Sequence, residues 1–283
     1  MREIRRTQTG YEPSAEGNYD VAPYSIHWLS LPVLSEAAPL GRLIVMRDVT
    51  EERSVAAMRD DLTNTMVHDL RNPLTVIQSS LELLTIDSPD EVSESQQQVL
   101  EVMQHGTQRM LNLVTAILDV NRLESGQMPL DREPVLLPML VADVLALQTV
   151  LADEKQLQVI NEVAADLPPV SVDVELVRRV FQNVIGNAIK FTPPDGTVSV
   201  SAQIDPSDER MLVVCVCDTG PGVPLDLQPR LFQKFVTGRS LERGSGLGLA
   251  FCRLVLEVHG GRIWVENGAE AGAAFKFTLP IVE

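Results

Sequence analysis

Met66-Val67-His68-Asp69-Leu70-Arg71-Asn72-Pro73-Leu74 carries a histidine inside a helical pattern. Val67, Leu70, Leu74, Ile77, Leu81 and Leu84 recur at spacings of three and four, the seam of an amphipathic helix that packs on other helices. His68 follows a seam residue directly, so it sits about 100° off the buried stripe, on a solvent-reachable flank. Pro73 offers no N–H to the carbonyl of Asp69 and disfavours helical geometry at Asn72, which predicts a bend within a turn of His68. Taken alone, the stretch fits a surface histidine on a coiled-coil helix. A neutral imidazole is also a good nucleophile near neutral pH.

The helical pattern runs from about Glu51 to Thr85 and breaks at Ile86-Asp87-Ser88-Pro89-Asp90. Ser88 to Glu91 offers the start signal of a second helix, whose seam is Val99, Met103, Gly106, Met110, Leu113, Ile117 and Val120. Leu100, Val102, Val114 and Leu118 widen that stripe beyond what two helices bury. An antiparallel helical hairpin that dimerises into a four-helix bundle is the economical solution. Leu123-Glu124-Ser125-Gly126 closes the second helix with a glycine stop.

Upstream, residues 1–23 are polar and predict little regular structure. Ser25–Leu31 and Arg42–Arg47 read as an antiparallel strand pair that runs through Asp48-Val49-Thr50 into the first helix. Downstream, helices are expected over Leu137–Leu151, over Val174–Phe191 behind an Asp173 cap, and over Gly246–His259. Strands are expected at Gln158–Val163, Thr197–Ile204, Met211–Asp218, Arg262–Glu266 and Ala273–Leu279. This mixture suggests an α/β sandwich, one sheet with one face covered by helices, so the whole chain is of the α+β class.

Composition narrows the function. The 283 residues carry a formal net charge of −16, which argues against nucleic acid and anionic membrane surfaces as partners. No apolar run is long enough to span a bilayer, and the N-terminus has no apolar signal region. Three cysteines do not make a disulfide framework, and Cys215 and Cys217, alternating along one strand face, read as buried thiols in a reducing cytoplasm. A membrane anchor upstream of the chain stays open.

Three motifs carry chemistry. Asn183, Asn187 and Lys190 share one helix face at i, i+4 and i+7; two carboxamides and an amine suit a magnesium–polyphosphate, as they also suit a plain solvated face. Asp218-Thr219-Gly220-Pro221-Gly222 places an acid at the end of an apolar strand, able to accept from an adenine amine, with glycines that let backbone approach the ring. Gly244-Ser245-Gly246-Leu247-Gly248 opens a helix, where glycine-rich backbone and a helix N-terminus form an anion site. It follows no strand of a βαβ unit and has no P-loop lysine, so neither a Rossmann nor a Walker site is expected.

In order and spacing these motifs resemble the boxes of a sensor histidine kinase of bacterial two-component systems, over about Glu51 to Glu283. His68–Leu74 is similar to the H box, Asn183–Thr192 the N box, Asp218–Gly222 the G1 box, Leu231–Phe235 the F box, Gly244–Gly248 the G2 box, and His259–Trp264 the closing segment. The N-terminal strands resemble the end of a PAS sensor domain. The resemblance implies a partial PAS-like remnant at 1–50, a dimerisation and phosphotransfer hairpin at 51–126, and a Bergerat-type ATP-binding domain at 127–283. It implies that His68 accepts the γ-phosphoryl of ATP, that Asp69 acts as base, and that Asn72 orients water for dephosphorylation. It further implies that Asn187 ligates Mg²⁺ with Asn183 and Lys190 near the phosphates, and that Asp218 reads adenine beside Gly220 and Gly222. Phe232, Arg239 and Arg243 would belong to the ATP lid or its border, and Gly244, Gly246, Leu247 and Gly248 to the phosphate site. Implied partners are a second copy of the chain and the receiver domain of a response regulator. Two rivals remain at this stage. One is a nucleotide-binding scaffold without transfer. The other is a chaperone- or topoisomerase-type ATPase, which carries a glutamate where Asn183 stands.

Overall fold

The computed structural model describes residues 14–21, 23–34, 39–51, 54, 65, 67, 69–81, 94–236, 245–268 and 272–282. The chain divides into two compact units, Met1–Met66 and Val67–Glu283.

The first unit contains an antiparallel three-stranded sheet of β1 (Ala15–Val21), β2 (Tyr24–Leu34) and β3 (Pro39–Asp48), in that order. The expected strand pair is present as β2 and β3. Strand β1 corrects the expectation of little regular structure before residue 23. It is an edge strand with most of its residues exposed, so its sequence has no apolar alternation to announce it. At the exit of β3, Asp48 Oδ1 accepts from Thr50 N at 3.0 Å and Thr50 Oγ1 at 2.5 Å, while Ser25 N donates to Thr50 Oγ1 at 2.8 Å. These bonds hold the Asp48 carboxyl below its ordinary range and tie the strand's end to the turn of helix at residue 50.

The second unit begins with two helices, α1 (residues 69–81, with Val67 also helical) and α2 (Glu94–Glu124). Helical geometry continues across Pro73. Val67 and Leu74 pack with Val114 and Leu118, flanked by Leu111 and Ile117. Only part of the expected seam is covered within one chain. Val99, Met103, Met110 and Leu113 of α2 are exposed in the single chain, as are Leu70 and Ile77 of α1; Val114 and Leu118, read as the margin of the stripe, face α1. Helix α2 ends as expected: Gly126 has φ +67°, its N–H reaches Leu123 O at 3.2 Å, and Gln127 N reaches Arg122 O at 3.0 Å.

The rest of the unit is a two-layer sandwich. Its elements are β4 (Glu133–Val135), α3 (Leu137–Glu154), β5 (Gln158–Asn161), β6 (Val170–Val172), α4 (Val174–Phe191), β7 (Thr197–Asp205), β8 (Asp208–Asp218), a 3₁₀ turn at Gln228–Arg230, α5 (Gly248–Val258), β9 (Ile263–Asn267) and β10 (Ala273–Pro280). The main sheet has the order β5-β7-β8-β10-β9, parallel only between β5 and β7. The unanticipated β6 pairs with β4 in a small second sheet. Along β8, Leu212, Val214 and Val216 are fully buried against the helices. Phe181 of α4 meets Phe277 of β10 edge to face, centroids 5.2 Å apart.

The same alternation corrects the cysteine reading. Cys215 and Cys217 point to the face of β8 opposite its buried valines and are half-buried; the fully buried thiol is Cys252 on α5. Among the described residues, no helix is long and apolar enough to cross a membrane.

Candidate functional site

Helix α4 is the base of the site and is fixed at both ends. At its start, Asp173 Oδ1 accepts from Leu176 N at 3.1 Å, the expected cap. Asp173 N in turn donates to His259 Nε2 at 2.9 Å, and His259 Nδ1 lies 2.7 Å from Val255 O. With Nε2 accepting, Nδ1 carries the proton, so this buried imidazole is neutral. At the other end, Lys155 Nζ donates to the carbonyls of Ile189, Lys190 and Thr192 at 2.9, 2.7 and 3.1 Å. An ammonium over the last carbonyls satisfies orphan acceptors and complements the helix dipole.

Between these anchors, Val177, Val180, Phe181, Val184, Ile185 and Ala188 are buried, and Asn183, Asn187 and Lys190 stand half-buried on another face. Asn183 Nδ2 donates to Arg179 O at 2.9 Å, which leaves its Oδ1 turned toward the start of α5. A Cβ on Gly248 would come within 2.7 Å of that oxygen, so a side chain there would push the Asn183 carboxamide aside. Lys190 Nζ lies 5.2 Å from the Phe191 ring centroid.

The turn before α5 is equally constrained. Gly246 has φ +68°, and a Cβ there would meet Phe235 backbone at 2.7 Å; Phe235 N donates to Gly246 O at 2.9 Å. Leu247 is buried and N-caps α5 without a side-chain bond to the helix's first N–H groups. The first N–H groups of a helix lack intrahelical acceptors and lie at the positive end of its dipole, a ready anion site.

Asp218 closes the set at the end of β8. Its Oδ1 accepts from Gly220 N at 2.8 Å and Ala273 N at 3.3 Å. Burial pushes its carboxyl above the ordinary range, and the two backbone bonds oppose that shift. Phe232 packs edge to face on Phe275, centroids 6.4 Å apart. The loop after Asp218 is pinned through Asn267, whose Oδ1 accepts from Val223 N at 2.9 Å and whose Nδ2 donates to Val223 O at 2.8 Å.

The structure thus brings Asn183 against Gly248, and joins Asp218 to Gly220 and the start of β10. Asp69 and Asn72 are exposed on α1. His68, Arg239, Arg243 and Gly244 lie outside the described residues.

Residues 58–126 match the family model of the His Kinase A (phospho-acceptor) domain, and residues 172–283 that of the histidine kinase-, DNA gyrase B-, and HSP90-like ATPase. The chain belongs to the sensor histidine kinase family. The adaptive-response sensory kinase SasA of Rippkaea orientalis is 36% identical over 222 residues, 76% of this chain and 56% of that protein. The sensor protein KdpD of Escherichia coli is 34% identical over 237 residues, 81% of this chain and 26% of that protein. The chain therefore spans little over half the length of the SasA relatives and less of KdpD. Among solved structures, full-length ShkA in complex with AMPPNP superposes with a TM-score of 0.68 at 28% identity, covering 78% of this chain and 46% of that one. The histidine kinase AdeS of Acinetobacter baumannii, at 22% identity and a TM-score of 0.56 over 76% of this chain and 98% of that one, shares the fold.

Several residues that shape this site escape sequence reasoning. Gly272 has φ +87°, and a Cβ there would fall 1.8 Å from Asp218 O, so glycine is required for β10 to reach the acid. Its only signal is a glycine just before a strand. Arg179, one turn ahead of Asn183, stacks 4.2 Å over Phe251 and pairs with Asp119 of α2 at 2.7 Å. Lys155 and Asn267 act on backbone, which leaves no spacing signature.

Proposed function

We propose that this chain is an ATP-dependent protein-histidine kinase. His68 takes the γ-phosphoryl group of ATP and passes it to an aspartate in the receiver domain of a response regulator. On this reading residues 1–50 are the remnant of a PAS-like sensor, 51–126 the dimerisation and phosphotransfer hairpin, and 127–283 the ATP-binding domain. The observation that carries it is the Gly248 approach to Asn183, which sets that carboxamide of α4 beside the N-terminus of α5. An anion held by the helix N–H groups would there meet hard oxygen ligands on the facing helix.

The donor set fits a nucleotide with magnesium. Asn187 would hold the ion together with phosphate oxygens, and the ion supplies charge neutralisation during transfer. Asn183 and Lys190 flank the phosphates, and Gly246, Leu247 and Gly248 offer backbone donors to them. Asp218 accepts from the adenine amine, with Gly220 and Gly222 leaving room for the ring. Phe232, Arg239, Arg243 and Gly244 border the nucleotide as its lid. Asp69 polarises His68 for attack. Asn72, four residues after His68 in the sequence, orients a water for hydrolysis of the regulator's phosphoaspartate.

The test is incubation with γ-labelled ATP and Mg²⁺. The expected result is an acid-labile, base-stable label that His68→Gln loses while still binding nucleotide. Equal labelling of His68→Gln would overturn the assignment.

A further inference from the structure

The last turns of α2 do more than end the hairpin. Val120 and Leu123 are buried in the core of the ATP-binding fold, so one helix serves both parts of the unit. Apolar burial is non-directional and by itself lets one body turn on another. Two ion pairs restrict that freedom. Asp119 Oδ2 lies 2.7 Å from Arg179 Nη2 of α4, with the two side chains 12% and 37% exposed. Glu124 Oε2 accepts from Lys234 Nζ at 2.5 Å. The planar guanidinium of Arg179 is held from a second side by α5, stacked 4.2 Å over the Phe251 ring.

Arg179 opens the polar face of α4. Asn183 and Asn187 follow it at one and two turns, about 6 and 12 Å along the axis on nearly the same side. The Arg179 carbonyl accepts from Asn183 Nδ2 at 2.9 Å, which turns Asn183 Oδ1 toward Gly248. Phe251 stands one turn into α5, just behind Gly248. One residue therefore touches both helices that frame the anion site and the helix that carries the hairpin.

The other half of the pair is level with the acceptor. Arg71 Nη2 donates to Thr115 Oγ1 at 3.4 Å, and Gln78 Nε2 to Gln108 Oε1 at 3.3 Å. From Arg71 to Gln78, α1 climbs the same seven residues by which α2 descends from Thr115 to Gln108, an antiparallel register. Val67 packing with Val114 and Leu118 extends it. Continued past Thr115, the register sets Asp119 level with Val67, the residue before His68 in the chain.

We propose that Arg179 is a positioning residue for autophosphorylation. Paired with Asp119, it holds the polar face of α4 at the level of His68, so that the γ-phosphoryl group is presented to that stretch of the hairpin and no other. It acts through Asn183 and through the seat of the ATP-binding fold on α2. Phosphoryl transfer leaves little covalent chemistry to the protein and depends on alignment, which this pair supplies. The inference rests on the phosphotransfer assigned to His68 above.

The test follows label from γ-labelled ATP on the full chain across ATP concentrations, beside calorimetric affinity for an ATP analogue and the melting midpoint. Asp119→Asn keeps the shape of the side chain and removes its charge. The expected result is about a tenfold fall in the maximal labelling rate, with KM, analogue affinity and melting midpoint unchanged. Asp119→Glu, which restores the charge, should recover most of the rate. Arg179→Gln should slow labelling as well, and the double variant Asp119→Asn/Arg179→Gln should be no slower than Arg179→Gln alone, because both remove one interaction. A salt bridge that only stabilised the fold would lower the melting midpoint and spare the maximal rate; that outcome, or a rate that rises when the pair is broken, overturns the proposal. Should Asp119→Asn fail to fold, Arg179→Gln decides by the maximal rate. A wild type that takes no label sinks the kinase reading and this inference with it. A wild type that labels, with Asp119→Asn equally fast, sinks this inference alone.

Discussion

Gly248 shows how one missing methyl group shapes chemistry. A Cβ there would sit 2.7 Å from Asn183 Oδ1, the free end of a side chain that can turn away. Gly248→Ala should therefore leave the melting midpoint nearly unchanged and weaken ATP binding about tenfold, ~1.4 kcal/mol. Calorimetric titration with an ATP analogue checks this, and an unchanged affinity would remove Asn183 from the site. His259 acts instead through protons. Burial, helped by the Arg132 cation and opposed by the Val255 carbonyl and the Asp173 carboxylate, sets its imidazole below the unfolded value of 6.5. Above that value both states are neutral and stability is full. As pH falls through about 6.5 the unfolded chain takes up the proton first, and stability drains until the folded imidazole also titrates. Denaturation midpoints should fall between about pH 7 and pH 5, and His259→Gln should flatten that part of the curve. Asp48, Asp205 and Glu266, whose carboxyls are all held low by hydrogen bonds, contribute only at more acid pH.

At the scale of elements, α4 is a stiff beam clamped at both ends, and the far clamp is Lys155. Lys155→Met keeps the alkyl stem and removes three donors from the last carbonyls of α4. We expect a loss of roughly 1.5–3 kcal/mol, the worth of charged hydrogen bonds to partly buried acceptors. Chemical denaturation measures it; a loss below about 0.5 kcal/mol would mean that water replaces the ammonium. This clamp marks where the sequence stops being readable. The Asp173 cap and the glycine stop at Gly126 were legible because caps and stops depend on residue type at one position. The glycine motifs at 218–222 and 244–248 were legible because backbone approach selects glycine. Lys155, Asn267 and Gly272 bind or admit backbone far away in sequence, and any lysine, asparagine or glycine before a strand looks alike until the chain is folded. Strand β1 was hidden for another reason: an edge strand exposed along most of its length has no pattern to keep.

At the scale of the whole molecule, the helical hairpin poses a question that periodicity alone could not answer. Both apolar stripes of α2 repeat at three and four, and either could have faced α1. The structure assigns Val114 and Leu118 to that contact, leaving Val99 at 57%, Val102 at 71%, Met103 at 47% and Met110 at 49% exposure on the other stripe. Leu70 at 53% and Ile77 at 43% add an outward row on α1. An apolar surface along two helices is unusual on a monomer and marks an interaction face. A second copy of the hairpin offers the same stripe in return, which a twofold interface requires. The far end of α2 is already engaged: Val120 and Leu123 belong to the core of the ATP-binding fold, and Asp119 and Glu124 pair with Arg179 and Lys234. The stripe from Val99 to Met110 is therefore the length of helix left for a partner. The chain should sediment near twice its mass of 31.1 kDa. Replacing Met103 and Met110 by glutamate would bury like charges against each other in a dimer and leave the α1 contact untouched, so the variant should sediment as a folded monomer. A wild-type chain that stays monomeric at tens of micromolar, or a double variant that still dimerises, would reject this face as the interface.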